Sequence, residues 1–198
     1  TINDNLGHDT GDALLREIAV RLAYKAPKSS TVARLGGDEF AIILPRVEDR
    51  RAWRDAVEKL LADMMGAMFH DEREVQISLS AGAALAFADG ETPEELHKSA
   101  DLALYAAKNE GLGRVVFFAS ELRKTAEREK QMLADARTAL EEDRIIPFYQ
   151  PKVCLRTGRL AGFEALLRWQ HKRGLRPPAA INAAFEDTGI SVQLTNRM

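Results

Sequence analysis

The chain contains a single cysteine, Cys154, so no disulfide can form within it and the fold rests on packing. Such usage is compatible with a reducing cytoplasm. Aromatic residues are scarce at 7%, and Gly 13 with Pro 7 punctuates the chain without the density of a low-complexity linker. Neither charge sign dominates: 28 Lys and Arg stand against 30 Asp and Glu, a formal net charge of −2. That balance argues against a nucleic-acid-binding domain, which usually carries a basic excess. The longest nearly apolar run, Ser80 to Ala88, is too short to span a bilayer, and the start carries no secretory leader pattern. Any membrane anchor is expected outside these residues. What is present is ordinary for a folded protein, 45% hydrophobic and 29% charged over 198 residues, enough for a core without staples. The chain opens at Thr1 without an initiator Met and stops at Met198 beside a helical-looking segment, so it reads as an excerpt.

Periodicity predicts the elements. Asp9 or Thr10 can cap a helix with apolar positions Leu14, Leu15, Ile18, Ala19 and Leu22, ending near Pro27. Thr31 to Leu35 and Phe40 to Leu44 read as a hairpin around Gly36 and Gly37. A second helix is predicted over Glu48 to Phe69, with the methionines Met64, Met65 and Met68 as core packing. Val75, Ile77 and Leu79 start an alternating run read as one long strand to Phe87. Thr92, Pro93 and Glu95 form a capping box opening a third helix, which Gly111 and Gly113 stop before a short strand, Val115 to Phe118. Ala, Leu, Glu, Lys and Arg then dominate 121–143, a propensity-rich connector helix. Two strands, Phe148 to Leu155 and Leu160 to Trp169, and a helix from about Ala179 to Asp187 suggest the opening of a second, α/β domain.

Two constellations carry chemistry. Asn3, Asp4, Gly7, His8, Asp9, Gly11 and Asp12 crowd a loop leading into a helix N-terminus, where free N–H groups attract anions. Asp12 could accept from the guanine N–H donors and Asn3 could bond the remaining base edge. Equally, Asp9 or Asp12 could cap the helix and Asn3 could hold an Asx-turn. At the hairpin tip, Gly36, Gly37, Asp38 and Glu39 set two carboxylates beside residues without bulk. A hard divalent cation and a triphosphate would fit there, and so would a solvated turn. The four histidines, His8, His70, His97 and His171, lack metal-ligand spacing and read as structural or solvent-facing.

The segment 2–12, Ile-Asn-Asp-Asn-Leu-Gly-His-Asp-Thr-Gly-Asp, followed by Arg-Leu-Gly-Gly-Asp-Glu-Phe-Ala at 34–41, resembles the GGDEF family of diguanylate cyclases. Ser-Leu-Ser-Ala-Gly at 78–82 and Ala-Lys-Asn-Glu-Gly at 107–111 extend the resemblance over residues 1–119. Tyr-Gln-Pro-Lys-Val at 149–153, Thr-Gly at 157–158 and Gly-Phe-Glu-Ala-Leu-Leu-Arg-Trp at 162–169 resemble the start of an EAL cyclic di-GMP phosphodiesterase domain. The implied fold class is α+β: a partial GGDEF palm-like domain (1–119) with an antiparallel-containing central sheet flanked by helices. A long connector helix (120–144) and the first strands of an EAL α/β barrel (145–198) follow.

The resemblance implies roles. Asn3 and Asp12 would read guanine, Asp38 would ligate Mg²⁺ or Mn²⁺, and Glu39 would assist at the metal or the attacking 3′-hydroxyl. Lys108 would hold the triphosphate, with Gly36 and Gly37 lining it. Glu164 would ligate metal in the EAL half, while Gln150 and Arg168 would touch cyclic di-GMP. From its residue type alone, Arg168 could as well form a salt bridge at a strand end. The implied reaction condenses two GTP to cyclic di-GMP on two facing domains, hydrolyses cyclic di-GMP, or both. GTP, cyclic di-GMP and a second copy, joined through the GGDEF half or the connector helix, are the implied partners.

Departures qualify the activity. Leu112 stands where the family usually has a triphosphate-binding arginine, with Arg114 the nearest substitute, and Pro27 to Ser30 replaces the Arg-x-x-Asp of the inhibitory product site. Feedback inhibition by that route is not expected. The resemblance also implies a preceding strand with a second metal-binding aspartate and further EAL segments, none of them among these residues. The excerpt alone is expected to be inactive, within a cytoplasmic portion of a cyclic di-GMP signalling enzyme. A GGDEF half that only binds GTP to regulate its EAL partner, or a non-catalytic sensor or scaffold, are the other readings.

Overall fold

The computed structural model describes residues 8–45, 49–70 and 73–198, and the chain divides into two compact units, 1–123 and 124–198. In the N-terminal unit α1 (His8–Lys25) precedes a hairpin of β1 (Thr31–Gly36) and β2 (Glu39–Ile43), then α2 (Arg50–Met64). Next come β3 (Gly66–His70), β4 (Arg73–Ile77), β5 (Ala81–Ala83), α3 (Pro93–Asn109) and β6 (Val115–Phe117). The strands pair as three two-stranded ladders: β1 with β2 and β3 with β4 antiparallel, β5 with β6 parallel. Leu14, Ile18 and Leu22 of α1, Leu60 and Met64 of α2 and Ile77 of β4 form the core, with Val32, Phe40 and Ile42 of the hairpin packed against it.

Helix α4 (Ser120–Glu141) runs across the boundary between the units. In the C-terminal unit β7 (Ile145–Val153), β8 (Leu160–His171) and β9 (Gly174–Arg176) form an open antiparallel sheet. A 3-10 segment (Pro178–Phe185) and α5 (Thr188–Asn196) complete it. Ala136, Ala139 and Leu140 of α4 pack with Ile145, Leu167 and Trp169 of the sheet and with Ile181, Ala184, Ile190 and Leu194. Cys154, just after β7, has its thiol pKa lowered by hydrogen bonding from the Thr157 side chain and backbone.

Four local expectations need correction. Helix α1 already includes His8, so Asp9 and Thr10 lie in its first turn rather than at its cap. Helix α2 stops at Met64: Gly66 takes φ +115, a conformation no helix contains, and Gly66 to His70 become β3, so Met68 belongs to a strand. The long strand predicted to Phe87 is interrupted at Ser78–Ser80, because β4 pairs with β3 while β5 turns to β6. The helix expected over 179–187 is a 3-10 segment ending at Phe185, and Asp187 instead caps α5 by accepting from the Ile190 N–H at 2.9 Å.

Candidate functional site

The hairpin tip is a two-residue turn, Gly37 and Asp38, between the paired residues Gly36 and Glu39. Gly37 sits at φ +52, which a tight hairpin needs and a Cβ would oppose. Arg34 braces the turn: its Nε and Nη2 donate to the Gly37 carbonyl at 3.0 and 2.7 Å. The forked guanidinium can close on one oxygen in this way, whereas an ammonium could not. Arg34 opens the 34–41 motif, whose residue types give it no role of its own. Its position three residues before a glycine turn was the available signal. Phe40, next to Glu39, packs against the unit's core and anchors the hairpin from inside, while Asp38 and Glu39 stay exposed.

Helix α3 brings the second component. Thr92 caps it by accepting from the Glu95 N–H at 3.2 Å, and the Glu95 carboxylate accepts the Glu91 N–H at 2.9 Å, one residue earlier than a standard capping box. Ser99, Ala103 and Ala107 form a fully buried stripe of small residues, which lets α3 approach β5 closely. A Cβ on Gly82 would lie 2.1 Å from the Ala100 carbonyl oxygen and 2.2 Å from the Leu104 nitrogen. Gly82 therefore sets how near α3 can come. Lys108 follows Ala107 in the last helical turn, where the helix dipole favours a cation. Its Nζ lies 3.6 Å from Glu39 Oε1. Two residues distant in sequence, both implied at the site, are thus brought together at the hairpin tip.

The remaining predicted residues are placed less closely. Asn3 lies outside the described residues. Asp12 is exposed within α1, past its first turn, so it does not cap the helix. Arg114 pairs with Glu110 at 3.3 Å, and Leu112 is 75% exposed between two positive-φ glycines. Pro27 to Ser30 is a turn closed by Ser30 N–H donating to the Pro27 carbonyl.

In the C-terminal unit Gln150 pairs directly with Glu164 and Ile146 with Arg168 across β7 and β8. The two-residue period puts Gln150, Glu164 and Arg168 on one face and the core residues Ile145, Leu167 and Trp169 on the other. Glu164 Oε2 lies 3.3 Å from Lys152 Nζ. Arg168 donates to its neighbour's carbonyl, Leu167 O, at 2.8 Å, and its guanidinium lies 5.7 Å from the Phe148 ring centroid. Among the described residues it forms no salt bridge. No group of three or more His, Cys, Asp or Glu among the described residues could by itself hold a metal. Two adjacent exposed carboxylates, Asp38 and Glu39, nonetheless suit Mg²⁺, which takes one or two protein carboxylates with substrate phosphates and water; Mn²⁺ favours the same oxygen donors.

Residues 1–114 match the family model described as diguanylate cyclase, GGDEF domain. The chain belongs to the GGDEF family. An EAL domain model matches 133–198, so this GGDEF chain continues into an EAL segment. The bifunctional diguanylate cyclase/cyclic di-GMP phosphodiesterase MucR of Pseudomonas aeruginosa is 40% identical over 98% of the chain, which spans 28% of MucR. The cyclic di-GMP phosphodiesterase NbdA of the same organism is 37% identical over 98%, and the chain spans 25% of it. The solved GGDEF domain of Pseudomonas aeruginosa YfiN superposes with TM-score 0.60 at 34% identity, covering 64% of this chain and 74% of that one. The GGDEF domain of DgcB from Caulobacter crescentus, solved with cyclic di-GMP, gives 0.50 at 32% identity, covering 59% and 69%. These likenesses place the GGDEF chain in the cyclic di-GMP signalling proteins of GGDEF–EAL type, with an α+β fold.

Proposed function

We propose that the protein carrying this chain turns over cyclic di-GMP, with condensation of two GTP at the hairpin tip and hydrolysis at the EAL face. The approach of Lys108 to Glu39 at 3.6 Å carries the reading, because it sets a cation, the charge a triphosphate needs, beside the acidic turn. Asp38 and Glu39 would hold Mg²⁺, which when bound neutralises phosphate charge and makes the 3′-oxygen a better nucleophile. Lys108 would pair with the triphosphate, the uncrowded backbone of Gly36 and Gly37 would admit it, and Asn3 and Asp12 would select guanine. Each 3′-oxygen bonds to the α-phosphorus of the other GTP, the α–β anhydride breaks and pyrophosphate leaves, so two copies must face each other. In the EAL half Glu164 would ligate metal while Gln150 and Arg168 hold the dinucleotide, the guanidinium suiting phosphate oxygens. The cytoplasm, where GTP is available, is the proposed location.

A second reading has its own observation. Leu112 is exposed where the family carries a triphosphate-binding arginine, and Arg114 is engaged with Glu110. In that reading the GGDEF half binds GTP to regulate the EAL half. Incubating the protein at its full encoded length with Mg²⁺ and either GTP or cyclic di-GMP, then resolving products by chromatography, separates the two. Cyclic di-GMP from GTP supports synthesis, linear dinucleotide alone supports the regulatory reading, and no product in either tube sinks the turnover proposal. Asp38→Ala is expected to lower metal-dependent GTP affinity and Asp12→Ala to relax the preference for guanine over adenine. Parent-like binding by both variants would show the site assignment wrong.

A further inference from the structure

His171, the last residue of β8, and Lys172 and Arg173 in the turn that follows form a basic run, and Arg176 follows on β9. Register decides where they point. Trp169 pairs with Arg176, and His171 with Gly174, so Trp169, His171 and Arg176 share one face of the hairpin. It is the face opposite Gln150, Glu164 and Arg168. Together with Lys172 and Arg173, with Gln131 and Asp135 on α4 and with Ala180, it lines a groove of about 630 Å³. That volume lies within the span of small-molecule sites, about 300–1,000 Å³.

The charge of this groove is unbalanced. Lys172, Arg173 and Arg176 are exposed, and no ion pair among the described residues engages them. The single carboxylate in the lining, Asp135, already accepts from Gln131 Nε2 at 2.8 Å. His171 Nδ1 accepts the Arg173 backbone N–H at 3.1 Å, so the proton of the neutral ring sits on Nε2 and makes it a donor. The ring itself is held against Trp169, centroids 4.6 Å apart. Three permanent cations and one fixed donor around a concave, small-molecule-sized space match an anion with several oxygens, since guanidinium forks grip phosphate in pairs of hydrogen bonds. A space of about 630 Å³ is far larger than a single phosphate fills, so the donors that line it suit linked phosphates better than one.

We propose that this groove binds an anion carrying two or more linked phosphates, either inorganic pyrophosphate or the diphosphate of a nucleotide. The test titrates inorganic pyrophosphate, ADP and orthophosphate in EDTA, which keeps divalent cations from the hairpin tip. Binding is read from the Trp169 indole N–H by NMR, with Trp53 in the other unit as reference. A saturable shift at Trp169, not at Trp53, is expected with pyrophosphate or ADP, and the tighter of the two identifies the source. Orthophosphate is expected to bind at least tenfold more weakly. Replacing both arginines (R173Q and R176Q) should weaken binding at least tenfold, and K172Q about threefold, whereas R156Q with R159Q at the exposed β7–β8 turn should leave it unchanged. A shift that does not saturate, orthophosphate binding as tightly, or parent-like affinity in the R173Q/R176Q variant overturns the proposal. None of these readouts depends on turnover at either candidate active site.

Discussion

In the N-terminal unit a lysine from the last turn of α3 reaches a glutamate on a hairpin far back along the chain, Lys108 to Glu39 at 3.6 Å. In the C-terminal unit Lys152 and Glu164 meet at 3.3 Å across two strands joined by a short turn. The first pair exists only if helix and hairpin are both correctly docked. The second exists as soon as the β7–β8 ladder has its register. Similar chemistry thus reports on different levels of structure, tertiary docking in one unit and strand pairing in the other.

The largest perturbation should separate the units. Ile181 is fully buried in a core drawn entirely from the C-terminal unit, and Ile181→Ala is expected to cost about 2–5 kcal/mol there. Each unit carries one tryptophan, Trp53 and Trp169, so denaturant unfolding in single-tryptophan variants can follow them separately. The transition at Trp169 should move while that at Trp53 holds. Equal movement of both would mean that the two cores unfold as one.

Next in size is Gly82→Ala. The added Cβ would meet backbone atoms of α3 at 2.1 and 2.2 Å, and backbone cannot rotate away as a side chain can, so about 3 kcal/mol is expected from overpacking. Because α3 carries Lys108, the same substitution should displace the cation from the hairpin tip while leaving the Lys152–Glu164 pair intact. Amide shifts at Glu39 and Glu164 would show which pair has changed.

How much of this was legible in the sequence follows the same division between local and non-local causes. The hairpin, the Thr92 cap and the stop after α3 were readable because each is fixed by residues within a few positions. The α2 boundary does not show in the sequence because the hydrophobic spacing of Met64 and Met68 continues past it, while Gly66 decides the matter through its φ. The break between β4 and β5 was invisible because both segments are apolar and only the choice of partner strand separates them. At the site, Asp38 and Glu39 stood out as adjacent carboxylates, but nothing in their spacing points to Lys108; family resemblance alone supplied it. Gly82 lay inside a matching motif, with no sign that a helix would press on it.

A smaller effect is expected from Arg34. Losing the two donors to the Gly37 carbonyl in an exposed hairpin should cost about 1 kcal/mol. Arg34→Lys should recover little of it, since an ammonium cannot reproduce the fork. Faster hydrogen exchange at the Asp38 and Glu39 amides, with β7 and β8 unchanged, would locate the loss at the tip. Unchanged exchange in Arg34→Ala would remove the brace from the account.

The smallest effects are the ion pairs themselves, and they test the comparison most directly. Both are about half exposed, Lys108 and Glu39 at 51% and 55%, Lys152 and Glu164 at 60% and 51%. Double-mutant cycles to Gln should therefore give about 0.2–1 kcal/mol each, falling as salt is raised. Repeating both cycles with Gly82→Ala in place distinguishes the levels of structure. The Glu39–Lys108 coupling should vanish once α3 is pushed away from β5, whereas the Lys152–Glu164 coupling should persist, because strand register in the C-terminal unit owes nothing to that helix. Survival of the first coupling would mean that hairpin and helix find each other by charge rather than by the small-residue packing under α3, and the burial of Ser99, Ala103 and Ala107 would then need another purpose.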